Sequence, residues 1–236
     1  MPLNLSGNIL NSLGTKLLND TSVVTSGSVL YLDAGIATSY GGSGTTWTDL
    51  TGNGKNATLT NGPTFSISNG GYFSFDGTND YAINTSFTSF QTTTGTISAW
   101  AYPTQNGSNK YVMGVGDAGT GTTRAIRVTG GYWSTVTNGS TLQDFNDIVA
   151  APINVWQHVV FAWSGTTVNF YLNGTLYTAT KSGMNTPGGT YVVIGGPPWL
   201  DTFWQGRIAN AQVYNRTLSQ AEVLQNYQAQ RQRFGV

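Results

Sequence analysis

Residues 203–223 constrain the fold of this chain more than any other stretch. Phe203-Trp204-Gln205-Gly206-Arg207-Ile208-Ala209-Asn210-Ala211-Gln212-Val213-Tyr214 reads as an alternating strand, and Asn215-Arg216-Thr217 as a polar turn. The chain's one strong helix begins at Ser219. Ser219 is a favoured N-cap, Glu222 three residues on completes a capping box, and Leu218 and Val223 hold the two positions of a hydrophobic staple. A helix is predicted over residues 219–231, with Val223, Leu224 and Tyr227 packed on the domain.

Upstream, short β runs alternate with turn signals. Val29-Leu30-Tyr31-Leu32, Tyr72-Phe73-Ser74-Phe75, and residues 96–102, 157–163 and 191–194 are rich in aromatic and branched residues. The clearest hairpin is residues 167–177, where Val168, Phe170 and Leu172 alternate onto one predicted core face. Asn169 and Tyr171 fall on the other face, and Asn173-Gly174 suits a type I′ turn. Such spacing argues for a sandwich rather than βαβ units.

Residues 1–27 stand apart. Leu3, Leu5, Ile9, Leu10, Leu13, Leu17 and Leu18 are scattered among polar residues with neither a 3.6 nor a 2.0 period. They are read as an N-terminal arm, docked on its own domain or on a neighbour, preceding a domain of residues 28–236.

Composition narrows the function classes. The charged fraction is 8% and net charge is zero, which disfavours a nucleic-acid partner that would need a basic face. No apolar run approaches the ~20 residues of a membrane span, and the first residues lack the pattern of a signal peptide. Cysteine is absent, so disulfides and thiolate metal sites are excluded.

Eight motifs in order carry a family resemblance over residues ~28–233. They are Leu30-Tyr31-Leu32-Asp33-Ala34-Gly35, Trp47-Thr48-Asp49-Leu50-Thr51-Gly52-Asn53-Gly54 and Phe75-Asp76-Gly77-Thr78-Asn79-Asp80-Tyr81. Ile97-Ser98-Ala99-Trp100, Trp156-Gln157-His158-Val159, Tyr171-Leu172-Asn173-Gly174, Ile194-Gly195-Gly196 and the closing block complete the set. The chain resembles the laminin-G-like branch of the concanavalin A-like jelly rolls. That resemblance implies an all-β sandwich of two antiparallel sheets, one concave, with a C-terminal helix at its side. Its style is also similar to that of bacteriophage virion proteins and of bacterial secreted modules.

The fold hosts glycosidases, and a retaining enzyme needs two carboxylates about 5–5.5 Å apart. The related family's Glu-x-Asp-x-x-Glu motif is absent, because Glu222 is the only glutamate and belongs to the helix cap. Asp144 and Asp147 are the nearest substitute pair and read as part of a polar loop between Leu142 and Ile148. His158, the only histidine, lies in a β run and reads as structural. The chain is therefore expected not to be an enzyme.

No cofactor is expected, with calcium the one candidate ion. Asp76, Asn79 and Asp80 share a loop whose oxygens suit a hard cation, against the plainer reading that they form Asx turns. Tyr132, Trp133, Trp199 and Trp204 are read as aromatics in or beside loops, able to stack on sugars or anchor a protein contact. The functional expectation is a virion structural or surface protein, a phage head decoration or tail component. It would assemble through the jelly roll and the arm with other virion proteins and copies of itself. The alternative is a carbohydrate-binding module, on the virion or extracellular, attaching to host-surface glycans.

Overall fold

A computed structural model describes residues 22–87, 93–107, 109–116, 123–137, 144–181 and 190–236. The strands among them are β1 (Ser28–Asp33), β2 (Thr46–Trp47), β3 (Ala57–Thr60), β4 (Thr64–Ser66), β5 (Tyr72–Asp76), β6 (Tyr81–Asn84), β7 (Thr94–Pro103) and β8 (Lys110–Gly116). There follow β9 (Arg124–Thr129), β10 (Tyr132–Thr137), β11 (Phe145–Ala150), β12 (Gln157–Ser164), β13 (Thr167–Leu172), β14 (Thr175–Thr180), β15 (Tyr191–Ile194) and β16 (Gln205–Tyr214). A single helix, α1 (Gln220–Phe234), closes the chain.

The strands form two antiparallel sheets, as the expected jelly roll requires. The first runs β14-β13-β12-β7-β16-β5-β4, with β1 paired to the second half of β16; the second runs β11-β10-β9-β8-β15-β6-β3-β2. Alternation places Leu30, Leu32, Phe73, Ile97, Phe161, Val168, Phe170 and Val213 of the first sheet against Leu59, Met113, Ile126, Trp133, Val192 and Ile194 of the second. In the β13–β14 hairpin Asn173 and Gly174 both take positive φ (50° and 83°), as a type I′ turn demands. Val168 and Phe170 are buried between the sheets and Leu172 packs beside them.

The outer face of the first sheet is also apolar. Val160, Ala162, Tyr171 and Tyr214 form one cluster with Leu218 and Val223, while Trp100, Trp156, Tyr72 and Ala209 form another with Phe234. Helix α1 covers both. Ser219 Oγ accepts the Glu222 N–H (3.3 Å), a Glu222 carboxylate oxygen accepts the Ser219 N–H (2.9 Å), and Arg216 clamps that carboxylate with both terminal nitrogens (2.9 and 2.6 Å). Of the three side chains expected on the domain, Val223 is buried and Tyr227 half-buried against Trp100, but Leu224 is exposed. The helix is turned to seat Asn226 instead, whose amide is satisfied from both sides: its oxygen accepts the Val24 N–H (2.7 Å) and its NH2 donates to the Tyr214 hydroxyl (3.1 Å).

That contact docks the end of the expected arm on its own domain. Tyr214 donates to the Val24 carbonyl (2.9 Å) and Gln225 to the Ser22 carbonyl (3.0 Å), so residues 22–27 are part of the domain's packing. The arm residues Leu3, Leu5, Ile9, Leu10 and Leu13 lie outside the described residues.

At its far end the helix is held by Arg233, which donates to both oxygens of the buried Asp33 carboxylate (2.8 Å each) and to the Gly71 carbonyl (2.6 Å). Removing one partner of such a pair strands a buried charge. Arg233→Ala is expected to cost about 3–5 kcal/mol in urea unfolding, while Arg231→Ala on the exposed side should stay within about 0.5 kcal/mol. Phe170→Ala should cost about 3–5 kcal/mol; a near-neutral result would place it outside the core.

Candidate functional site

With its partner face covered, the second sheet presents the broader open β surface of the described fold. Directly paired residues share a face, and Thr58, Ile83, Val193, Gly114, Ala125 and Val136 form one row across β3, β6, β15, β8, β9 and β10. The last four, Val193, Gly114, Ala125 and Val136, are small or branched and floor a groove. Gly114 keeps that floor low, since a Cβ there would stand 3.0 Å from the Ala125 Cβ.

Aromatic side chains wall the groove. Tyr191 leads β15, and Trp199 rises from the turn after it, closed by the Leu200 N–H donating to the Pro197 carbonyl (3.1 Å). Their ring centroids lie 5.5 Å apart at 58°, and Trp199 keeps 44% of its surface exposed. Tyr111 also lines the groove, with the Arg127 guanidinium 5.9 Å from its ring. Burial pushes the Tyr111 phenol up, opposed by the Arg127 charge, so it stays a neutral donor. Arg127 in turn donates to Asp144 (2.7 Å) and to the Asn146 side-chain oxygen (3.1 Å). The second Asp144 oxygen, buried, has no protein partner among the described residues, nor has the Arg127 Nε. The groove thus offers apolar ring faces with a neutralised ion pair at its rim.

The aromatics singled out from sequence divide. Trp199 is at the groove, and Tyr132, 44% exposed, begins β10 farther along the same sheet. Trp133 and Trp204 are not surface residues. Trp133 lies near the start of strand β10, and alternation turns it inward, where its indole donates to Gln157 (2.8 Å). Trp204 is drawn in by its N–H bond to the Gly195 carbonyl (2.8 Å) and stacks on Trp133, centroids 6.2 Å apart. Tyr111, Tyr191 and Arg127 were missed. The available signal was Gly114 and Gly116 alternating on one face of β8, which marks a hollow rather than a filled surface.

The carboxylates serve structure. An Asp76 oxygen accepts the Thr78 and Asn79 N–H groups (2.8 and 3.3 Å), which holds it below the usual carboxylate range; Asp80 accepts the Asp76 N–H (3.1 Å) and is raised by burial. These are turn bonds, and Asp76, Asn79 and Asp80 do not fit the cage of about six to eight oxygens that calcium takes. Among the described residues no three His, Cys, Asp or Glu side chains gather. Asp147 falls within edge strand β11 rather than in a loop, its N–H bonded to Ser134, while Asp144 precedes that strand, paired with Arg127. Glu222 sits in the helix cap, where the Arg216 guanidinium holds it down to about 2.

His158 is buried between Trp100 and Tyr227, with centroids 5.3 and 6.2 Å away, and burial lowers it to about 3. The folded protein therefore keeps it neutral while the unfolded chain, near 6.5, takes a proton. Stability should be flat above pH 6.5 and fall on acidification by about 1.4 kcal/mol per pH unit. Glu222 adds its own loss only below its ordinary value of 4.5. Urea unfolding of His158→Gln should therefore show no slope between pH 6.5 and 5, and a retained slope would assign it elsewhere.

The comparisons fit this architecture. The family model of the concanavalin A-like lectin/glucanases superfamily matches residues 76–224. The botulinum neurotoxin serotype D binding domain superposes with a TM-score of 0.67 at 13% identity, covering 88% of this chain and 53% of its own. Domain 4 of an extracellular arabinanase from Geobacillus stearothermophilus, solved in complex with arabinotriose, gives 0.69 at 16% identity, covering 85% and 98%. Trypanosoma rangeli sialidase gives 0.68 at 17%, covering 90% and 34%. The chain thus spans about half of the toxin domain and a third of the sialidase. No curated protein matches the sequence.

Proposed function

This chain belongs to the concanavalin A-like lectin/glucanases superfamily, and we propose that it is a non-enzymatic glycan-binding module whose groove on the second sheet takes neutral sugar rings. The observation that carries this is the Tyr191–Trp199 pair standing over the floor of Val193, Gly114, Ala125 and Val136. Aromatic faces stack on the C–H faces of a sugar, and the Tyr111 and Tyr191 hydroxyls beside them can bond its ring hydroxyls. Because Arg127 and Asp144 cancel, the groove favours no net charge. Domain 4 of the arabinanase, on a similar fold, was solved with a neutral trisaccharide.

Hydrolysis would need a second carboxylate across from Asp144. Glu222 lies on α1, over the other sheet, and Asp76 and Asp80 hold their own turn. The setting we propose is a phage particle, supported by the seven aliphatic side chains among residues 1–18, which suit a neighbouring subunit.

Isothermal titration with neutral oligosaccharides, arabinotriose among them, tests the reading. Trp199→Ala and Tyr191→Ala should each weaken binding about tenfold, the equivalent of roughly 1.4 kcal/mol, without lowering the unfolding midpoint. No binding across a glycan array, or binding indifferent to both changes, would overturn it. Deleting residues 1–21 should leave the domain folded and glycan-binding but unable to enter particles. Normal incorporation of the truncated chain would remove the arm's role.

A further inference from the structure

A second surface lies on the other sheet, beyond the end of α1. Thr64, Ser74, Arg207 and Tyr102 are directly paired across β4, β5, β16 and β7 and so share one outward-facing row. Arg207 sits between two phenol rings, its guanidinium carbon 5.0 Å from the Tyr72 centroid and 4.6 Å from that of Tyr102. Tyr102 is braced by Trp156 (5.4 Å) and Tyr72 also by Trp156 (5.7 Å), so the clamp is rigid. Beside it Gly206 lets β16 and β7 approach closely: its φ is 148°, and a side chain there would run into the Tyr102 carbonyl oxygen.

Arg207 differs from three of the other arginines in what it donates to. Arg127, Arg216 and Arg233 are each bonded to a carboxylate. The half-buried Arg207 donates to no acceptor among the described residues, and its interactions are the two ring faces alone. Stacking occupies the faces of a guanidinium and leaves the N–H groups along its edge free. A planar carboxylate meets that edge with two parallel bonds. One cation calls for one negative charge, which a carboxylate matches better than a phosphate dianion. The half-buried Ser74 hydroxyl and the exposed Thr64 hydroxyl continue the row at the spacing of adjacent strands, about 4.8 Å. They suit a ligand that carries hydroxyl groups beside its acid.

We propose that Arg207, clamped by Tyr72 and Tyr102, is a carboxylate-binding site for the acid group of a uronic-acid sugar, with Ser74 and Thr64 bonding its ring hydroxyls. The choice of a sugar rests on the glycan-binding reading of the module, but the site is separate from the groove and can be read separately.

The test is nuclear magnetic resonance titration of the full chain with trigalacturonate and with its carboxyl-reduced neutral form. The Tyr72 and Tyr102 ring resonances, which every variant keeps, should shift saturably with the acid and not with the neutral trisaccharide, as should the Arg207 Nε–H in the unaltered chain. Arg207→Gln should abolish the response, and Arg207→Lys, which keeps the charge but not the fork, should weaken it about tenfold. The Trp199 indole resonance reports the groove independently. Loss of the indole response to every sugar would sink the groove reading and leave the Arg207 result standing. Tyr72 and Tyr102 resonances that ignore trigalacturonate, or answer both trisaccharides alike, would overturn the proposal, as would an unchanged affinity in Arg207→Lys. Should Arg207→Gln fail to fold, the lysine variant and the neutral trisaccharide still decide it.

Discussion

The first sheet is apolar on both faces, and much else in the molecule follows from that. One face is met by the second sheet. The other carries Trp100, Trp156, Val160, Tyr171, Ala209 and Tyr214, a surface that water would solvate at a cost of roughly 25 cal/mol per Å². A single amphipathic helix of 15 residues has to cover it. The helix is therefore fixed at both ends by charge: Arg216 and Glu222 at the N-terminal cap, Arg233 and Asp33 near the C-terminus. In a chain with a charged fraction of 8%, committing two of its ion pairs to one helix shows where the fold most needs anchoring. Because the helix occupies much of that side, the broader open β surface is left to the second sheet.

The seam between helix and sheet is polar in a controlled way. Asn226 is buried, yet its amide joins the Val24 backbone to the Tyr214 hydroxyl, and Tyr214 returns a bond to the Val24 carbonyl. Each member satisfies the next, which is what makes a buried network tolerable. This network ties residue 24 to the last strand and the helix, so the segment before β1 cannot peel away without unsatisfying two buried groups. Tyr31 extends the same logic, donating to Asp33 and accepting from Gln230; burial, with the Asp33 charge adding to it, pushes its phenol well up.

Local signals made part of this legible in the sequence. The Ser219–Glu222 capping box, the Leu218–Val223 staple and the Asn173–Gly174 turn depend on residues a few positions apart, and each appears as read. The strands β7, β12 and β16 are central in the first sheet and apolar nearly throughout, so they stand out. Strands β8 to β11 do not. Their outward positions hold Gly114, Gly116, Ala125, Arg127 and Ser134, which blur the alternation and left Tyr132 and Trp133 looking like residues in or beside loops. The groove was least legible, since positions 111, 125, 191 and 199 meet only through the register of β8, β9 and β15. A side chain's isolation in sequence says nothing of the strand that will lie beside it.

The character of the groove also bears on how such a module would work. A neutral, shallow trough with one aromatic pair has few strong contacts: no free charge in the groove and a floor of small apolar side chains. Each copy would then hold its glycan weakly, because the immobilisation of a flexible ligand consumes much of what stacking supplies. Linked copies change that arithmetic, since the second contact is made at an effective concentration in the millimolar range. The glycan-binding and particle-assembly readings are in this sense complementary. A display that multiplies copies would turn a weak groove into a firm attachment, and the arm is the part of the chain proposed to create that display.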